Sequence, residues 1–219
     1  MSAKTSTKKT LEETIISTYM TYVLEHETIP KSIYKFCKEN KIEEEEFYSV
    51  FGSVTGIQKA IWTVFFRKTI DLIHKNKEYE AFSNKEKMLT FLFSFFELLN
   101  LNRSYVLFTL QEKGHMLKNM EQLKDLRKEI KDFAKELIED ANADKSNKLS
   151  KHNPSLFSEG AWLQFIFLLN FWKEDNSAGF EKTDMAIEKS INTIFDVFDN
   201  TPLDSIMDFG KFLFKENLA

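Results

Sequence analysis

Helix breakers are scarce in this chain, and that scarcity constrains its fold more than any other feature. Three prolines and six glycines are spread over 219 residues. Long uninterrupted elements are therefore expected rather than many turns. Apolar residues recur at the three- and four-residue spacing of an amphipathic helix, first at Ile15, Ile16, Tyr19, Tyr22 and Val23. No alternating strand pattern stands out, and no internal repeat of 20–50 residues is present. The fold class read from these patterns is all-α.

Breaks in the pattern set the order of elements. Residues 1–9 read as a loose basic arm, and a first helix starts at Leu11. Thr28-Ile29-Pro30 stops it, and Pro30 can open the next. A second helix is expected over 31–39, with Ile33, Phe36 and Cys37 on one face. Lys41-Ile42 makes a tight turn into a third helix over 43–51, which Gly52 and Ser53 end. A longer helix covers 55–75, followed by helices near 85–100, 103–113, 118–141, 156–173, 180–198 and 203–216. Polar breaks fall at 76–84, 142–155 and 174–179, and 142–155 is the candidate for a mobile loop. Helix, short helix, turn, short helix, long helix is a helix-turn-helix layout.

Bulk properties narrow the function. Hydrophobic residues make up 42% and include 22 phenylalanines, enough for an aromatic core or cavity. The net charge is −4, and residues 1–56 hold seven lysines against nine glutamates. Strong nonspecific affinity for nucleic acid rests on a basic excess, and none is present. One cysteine, Cys37, excludes an intramolecular disulfide. Met1–Thr10 is polar with no apolar run after it, so no signal peptide is expected. The most apolar runs, 88–99 and 161–172, fall short of the ~20 residues a bilayer span needs. A cytoplasmic protein without a membrane partner is expected.

Residues 31–57 resemble the DNA-binding domain of the TetR family of bacterial repressors. Ser32-Ile33 stands for the family's threonine–aliphatic pair, and Phe36-Cys37 for its Ile-Ala. Lys41-Ile42-Glu43 replaces Gly-Val-Ser, Phe47-Tyr48 matches Leu-Tyr, Phe51 matches Phe, and Ser53-Val54 replaces Ser-Lys. The spacing fits without a gap. The resemblance implies a helix-turn-helix domain over residues 1–54 and a larger helical ligand-binding and dimerisation domain over 55–219. It implies a repressor that binds operator DNA as a homodimer and responds to a small apolar ligand. On this alignment the DNA-facing residues are Lys31, Ser32, Glu43, Glu44, Glu45, Glu46, Tyr48 and Ser49, with Ser32 and Tyr48 at the DNA backbone.

Four consecutive acids depart from the family pattern at the recognition helix, and Val54 stands where the family's phosphate-side lysine would. Glu43 and Glu44 lie in the first turn, where acids complement the helix dipole by roughly 0.3–1 kcal/mol each. Glu45 or Glu46 can instead accept a hydrogen bond from cytosine N4. At ~8 Å in water each carboxylate–phosphate pair costs roughly 0.5 kcal/mol before screening. Lys4, Lys8, Lys9, Lys31, Lys35 and Lys38 are the nearest compensating cations in sequence. A module of the same fold that binds a ligand or a protein without reading DNA is the alternative.

Residues 161–172, AWLQFIFLLNFW, are apolar nearly all round, as in a helix buried on every side or packed on a partner. The resemblance implies a two-fold four-helix interface from 156–173 and 180–198, with Phe167, Phe171, Ile187, Ile191, Ile194 and Phe195 as its candidates; core burial is the alternative. For a ligand cavity the candidates are Phe65, Thr69, Phe91, Phe95, Tyr105, Phe108, Trp162 and Phe165, with Asn100 and Gln164 as further polar contacts. Such aromatic stripes also serve as plain core. His26, His74, His115 and His152 are scattered, and no Walker loop, Gly-x-Gly-x-x-Gly or Gly-x-Ser-x-Gly occurs. No metal, cofactor or catalytic residue is expected, and Cys37 reads as a buried small residue rather than a reactive thiol.

Overall fold

The computed structural model describes residues 10–111, 121–143 and 153–200. Nine α-helices and no strand occur among the described residues. They are α1 Leu11–His26, α2 Ile33–Asn40, α3 Glu44–Val50, α4 Val54–Ile73, α5 Asn84–Leu101, α6 Arg103–Gln111, α7 Lys124–Ala143, α8 Pro154–Glu174 and α9 Glu181–Asn200. The basic arm, the helix expected at 203–216 and most of the break at 142–155 lie outside the described residues. The helix expected from 118 begins at Lys124. Gln122 and Leu123 form a buried turn immediately before it, and residues 118–120 lie outside the described residues.

Two compact units form. The first holds residues 10–64, 99–111 and 121–125, and the second holds 65–98, 126–143 and 153–200. The sequence-based division at residue 54 follows the end of the resemblance, whereas compactness also gathers α6 and the first half of α4 with the head. The reason is burial: Ile57, Ile61, Trp62 and Tyr105 are all in the core.

In the first unit, local capping starts α1 and α2. The Glu13 N–H donates to Thr10 Oγ1 at 3.2 Å and the Thr10 N–H to Glu13 Oε2 at 3.1 Å, a capping box worth about 1 kcal/mol. Ser32 Oγ accepts the Lys35 N–H at 3.3 Å at the start of α2. Lys41 ends α2 in the left-handed region at φ 56°, and the Ile42 N–H closes on Cys37 O at 3.0 Å. The tight turn expected at Lys41-Ile42 is present, although a lysine there is strained relative to glycine. Rings join the helices: Tyr19 meets Phe36 at 6.0 Å, Phe36 meets Phe47 at 6.2 Å, and Tyr19 meets Tyr105 of α6 at 6.4 Å. Farther along, Trp62 Nε1–H donates to Gln122 Oε1 at 3.1 Å, and Gln122 Nε2–H donates to Thr109 O at 3.3 Å.

The second unit is a phenylalanine-rich bundle. Phe66, Phe91 and Phe133 bring α4, α5 and α7 together at centroid distances of 4.8–6.4 Å. Phe95 and Phe96 of α5 meet Phe165 of α8 at 5.3 and 5.9 Å. Arg127 and Lys131 of α7 both pair with Glu159 of α8. Asn153 caps α8 by accepting the N–H groups of Ser155 and Leu156, with Pro154 in its first turn. Between α8 and α9 the buried Asp175 carboxylate accepts four hydrogen bonds, from the N–H and hydroxyl of Ser177 and of Thr183, at 2.6–2.9 Å. Burial by itself raises its pKa, yet these bonds outweigh it and hold the group far below the usual carboxylate range.

Candidate functional site

Two surfaces and a set of largely buried side chains carry the candidate residues. On the head, Phe47 and Phe51 are buried, and they seat α3 with its other face in solvent. Glu43, Glu45, Glu46, Tyr48 and Ser49 are exposed, as is Lys31, while Ser32 and Glu44 are half-buried. The four acids are not equivalent. Glu46 folds back, its Oε2 accepting the Glu43 N–H at 3.3 Å. Glu44 lies close enough to Cys37 to join burial in pushing that thiol's pKa up, which keeps the thiol protonated and inert. Glu45 stands clear on the outer face. Ser49 donates its hydroxyl to the Glu46 carbonyl at 2.7 Å. Tyr48 packs its ring edge on Phe47 at 5.6 Å and remains half-exposed at 51%.

The second surface lies along α8. Leu163, Phe167 and Phe171 recur every four residues and are 62%, 56% and 38% exposed, a row of large apolar side chains facing outward. Met185 of α9 is 50% exposed as well. Ile187 and Ile191, named with Phe167 and Phe171 from the sequence, are fully buried within the single chain, and Ile194 and Phe195 are half-buried. Phe195 packs on Phe157 at 5.6 Å. Met185 belongs to the apolar stripe that the sequence places on the helix at 180–198; Leu163 was not singled out, although it shares the four-residue spacing of the two phenylalanines.

The residues named for an apolar cavity are distributed between both units. Phe65, Thr69, Phe91, Phe95, Trp162 and Phe165 are buried in the second, where Trp162 stacks on Phe165 at 5.6 Å. The Thr69 hydroxyl donates to Phe65 O at 2.9 Å, and Gln164 Nε2–H donates to Ser190 Oγ at 2.9 Å. Tyr105 and Phe108 belong to the first unit.

An open groove of about 370 Å³ lies elsewhere in the second unit. Phe66 and Ile70 of α4 and Phe133 and Leu137 of α7 supply apolar lining. Around them stand His74, Tyr79, Glu80 and Lys87, with Glu129, Asp132, Glu136 and Asp140 of α7. Tyr79 sits in a 3₁₀ turn, Tyr79–Ala81, that precedes α5. Its ring meets His74 at 5.1 Å, and Lys87 Nζ lies 5.7 Å from its centroid. Burial, helped by Glu80, pushes the Tyr79 phenol up to about 12, so it stays a neutral hydroxyl. The acids at 129, 132, 136 and 140 follow helical spacing along α7 and were not singled out from the sequence.

Among the described residues no cluster of three or more His, Cys, Asp or Glu is arranged to hold a metal ion. No described helix is long and apolar enough to cross a membrane. Comparison with curated proteins and with solved structures finds no match. Residues 87–213, more than half of the chain, match the model of the tetracyclin repressor-like C-terminal domain. The all-α architecture agrees with this match, and the chain belongs to the TetR family.

Proposed function

We propose that this chain is a cytoplasmic transcriptional repressor that binds operator DNA as a homodimer and releases it when a small ligand occupies the second unit. The observation that carries the reading is the seating of α3. Phe47 and Phe51 point inward, and Glu45, Tyr48 and Ser49 stand in solvent on the opposite side, as a helix entering the major groove requires. Lys31 and Ser32 at the start of α2, with Tyr48, are the backbone-side contacts; Glu45 is the base-reading candidate. Glu46 and Glu43 hold the helix start.

The outward row Leu163, Phe167 and Phe171 on α8 and the exposed Met185 on α9 support a two-fold interface between copies of α8 and α9. A ligand acts by population shift, so it must favour one spacing of the two heads. Helix α4 belongs to both units, which gives such a shift a covalent route.

A second reading has its own support. Glu45 and its neighbours are acidic with no basic counterpart on α3, which favours a TetR-fold module that responds to a ligand or a protein without DNA. Selection from a random duplex pool followed by fluorescence anisotropy over a salt series separates the two. The repressor reading expects selected sites and a salt slope reporting several phosphates. Flat anisotropy at low salt leaves the second reading standing.

A further inference from the structure

We infer that the groove between α4, the Tyr79 turn and α7 binds an amphipathic organic cation, a protonated amine carried on an aromatic or other apolar body. The inference rests on the reading of the second unit as ligand-responsive and goes beyond it in naming the site and the ligand's charge.

Three features of the groove converge. Its apolar lining, Phe66, Ile70, Phe133 and Leu137, can take a ring or short hydrocarbon body, and its volume of about 370 Å³ suits a small molecule. Its rim is acidic. Glu80, Glu129, Asp132, Glu136 and Asp140 oppose one ammonium, Lys87, and that ammonium is already drawn to the Tyr79 ring face. On α7, Asp132, Glu136 and Asp140 repeat at i, i+4, a like-charge stripe that weakens a helix standing alone. None of the α7 acids on the groove has an ion-pair partner among the described residues. The cations of α7 that do pair, Arg127, Lys131 and Lys135, pair elsewhere, with Glu159 and Glu139.

Tyr79 supplies the independent observation. The residue is only 3% exposed, lines the groove, and its hydroxyl has no hydrogen-bond partner. A buried hydroxyl without a partner is costly and calls for one. That oxygen is closed to solvent, so a ligand ammonium donates its N–H there once the side chains over it shift, with the α7 carboxylates supplying the countercharge.

Calorimetric titration of the full chain with N,N-dimethylbenzylammonium, N-benzylacetamide and phenylmethanesulfonate tests the assignment. The three share a benzyl body and differ in charge. Saturable binding of the cation is expected, with the neutral and anionic probes weaker by about tenfold or more. Changing Asp132→Asn together with Glu136→Gln, both exposed, should weaken the cation by about tenfold. Glu139→Gln, paired with Lys135 away from the groove, should leave it unchanged. Tyr79→Phe should weaken dimethylbenzylammonium by about threefold but not benzyltrimethylammonium, which has no N–H to donate. Equal binding of all three probes, no saturable cation binding, or indifference of the cation to the double carboxamide variant overturns the inference. Such a failure, with selected DNA sites and a dimer still observed, sinks the ligand assignment alone; loss of DNA binding with cation binding intact sinks the repressor reading instead.

Discussion

Glu46 Oε2 accepts the backbone N–H of Glu43 at 3.3 Å, so one of the four consecutive acids closes the start of the helix that carries it. Glu45, beside it, makes no such bond and points to solvent. Adjacent residues of one type therefore do different work. Glu46→Ala should lower stability by about 0.5–1 kcal/mol through the lost cap and leave DNA site preference intact. Glu45→Gln should be neutral for stability, yet raise nonspecific DNA affinity if it repels phosphate or relax one base position if it reads cytosine. Urea denaturation and anisotropy on the same samples check both.

Phe47 is 1% exposed and touches the rings of Phe36, Tyr48 and Phe51. Phe47→Ala should cost about 3–5 kcal/mol, since the seven-residue α3 cannot reseal the cavity. Phe47→Leu should cost less. Denaturant midpoints followed by circular dichroism give the ranking, and an Ala variant as stable as Leu contradicts the seating of α3.

The outward row on α8 separates association from folding. Phe167→Glu with Leu163→Glu replaces side chains already more than half exposed, so the monomer's helicity should persist. Sedimentation velocity at micromolar concentration should move from dimer to monomer. Ile187→Glu, by contrast, buries a charge in the chain's own core and should unfold it. A dimer that survives the double glutamate variant places the interface elsewhere.

Asp175 links acid sensitivity to the α8–α9 corner. Its folded pKa lies below its unfolded value, so its stabilising contribution is full above the ordinary carboxylate range and is lost as pH falls through the folded pKa. Asp175→Asn should cost about 2–3 kcal/mol at neutral pH, because four donors lose a charged acceptor. Thermal midpoints of the two proteins should differ most above about pH 5 and converge as pH falls toward about 2.

Much of the architecture was legible without coordinates. Pro30 marks the break between α1 and α2, although α2 itself starts at Ile33 with Ser32 as its cap, and Phe47 and Phe51 announce the inner face of α3 by spacing alone. Local rules read such features because each depends on residues within one or two turns. Ring-rich stripes were a different case. Phe91, Phe95 and Phe165 have the same spacing whether they line a cavity or fill a core, and only their mutual distances of 5.3–5.7 Å show them packed on one another.

By itself the sequence determined an all-α chain, the head's helix order, and the acidic outer face of α3, because helical periodicity and breakers act locally. Tertiary structure alone decided which apolar residues of α8 and α9 are spare. Ile187 is consumed by the chain's own core while Phe167 is left outside, a distinction set by which neighbours reach each face. It also decided that the α7 acids and Tyr79, some fifty residues apart, meet at one groove, since burial and charge at a site are sums over elements distant in sequence.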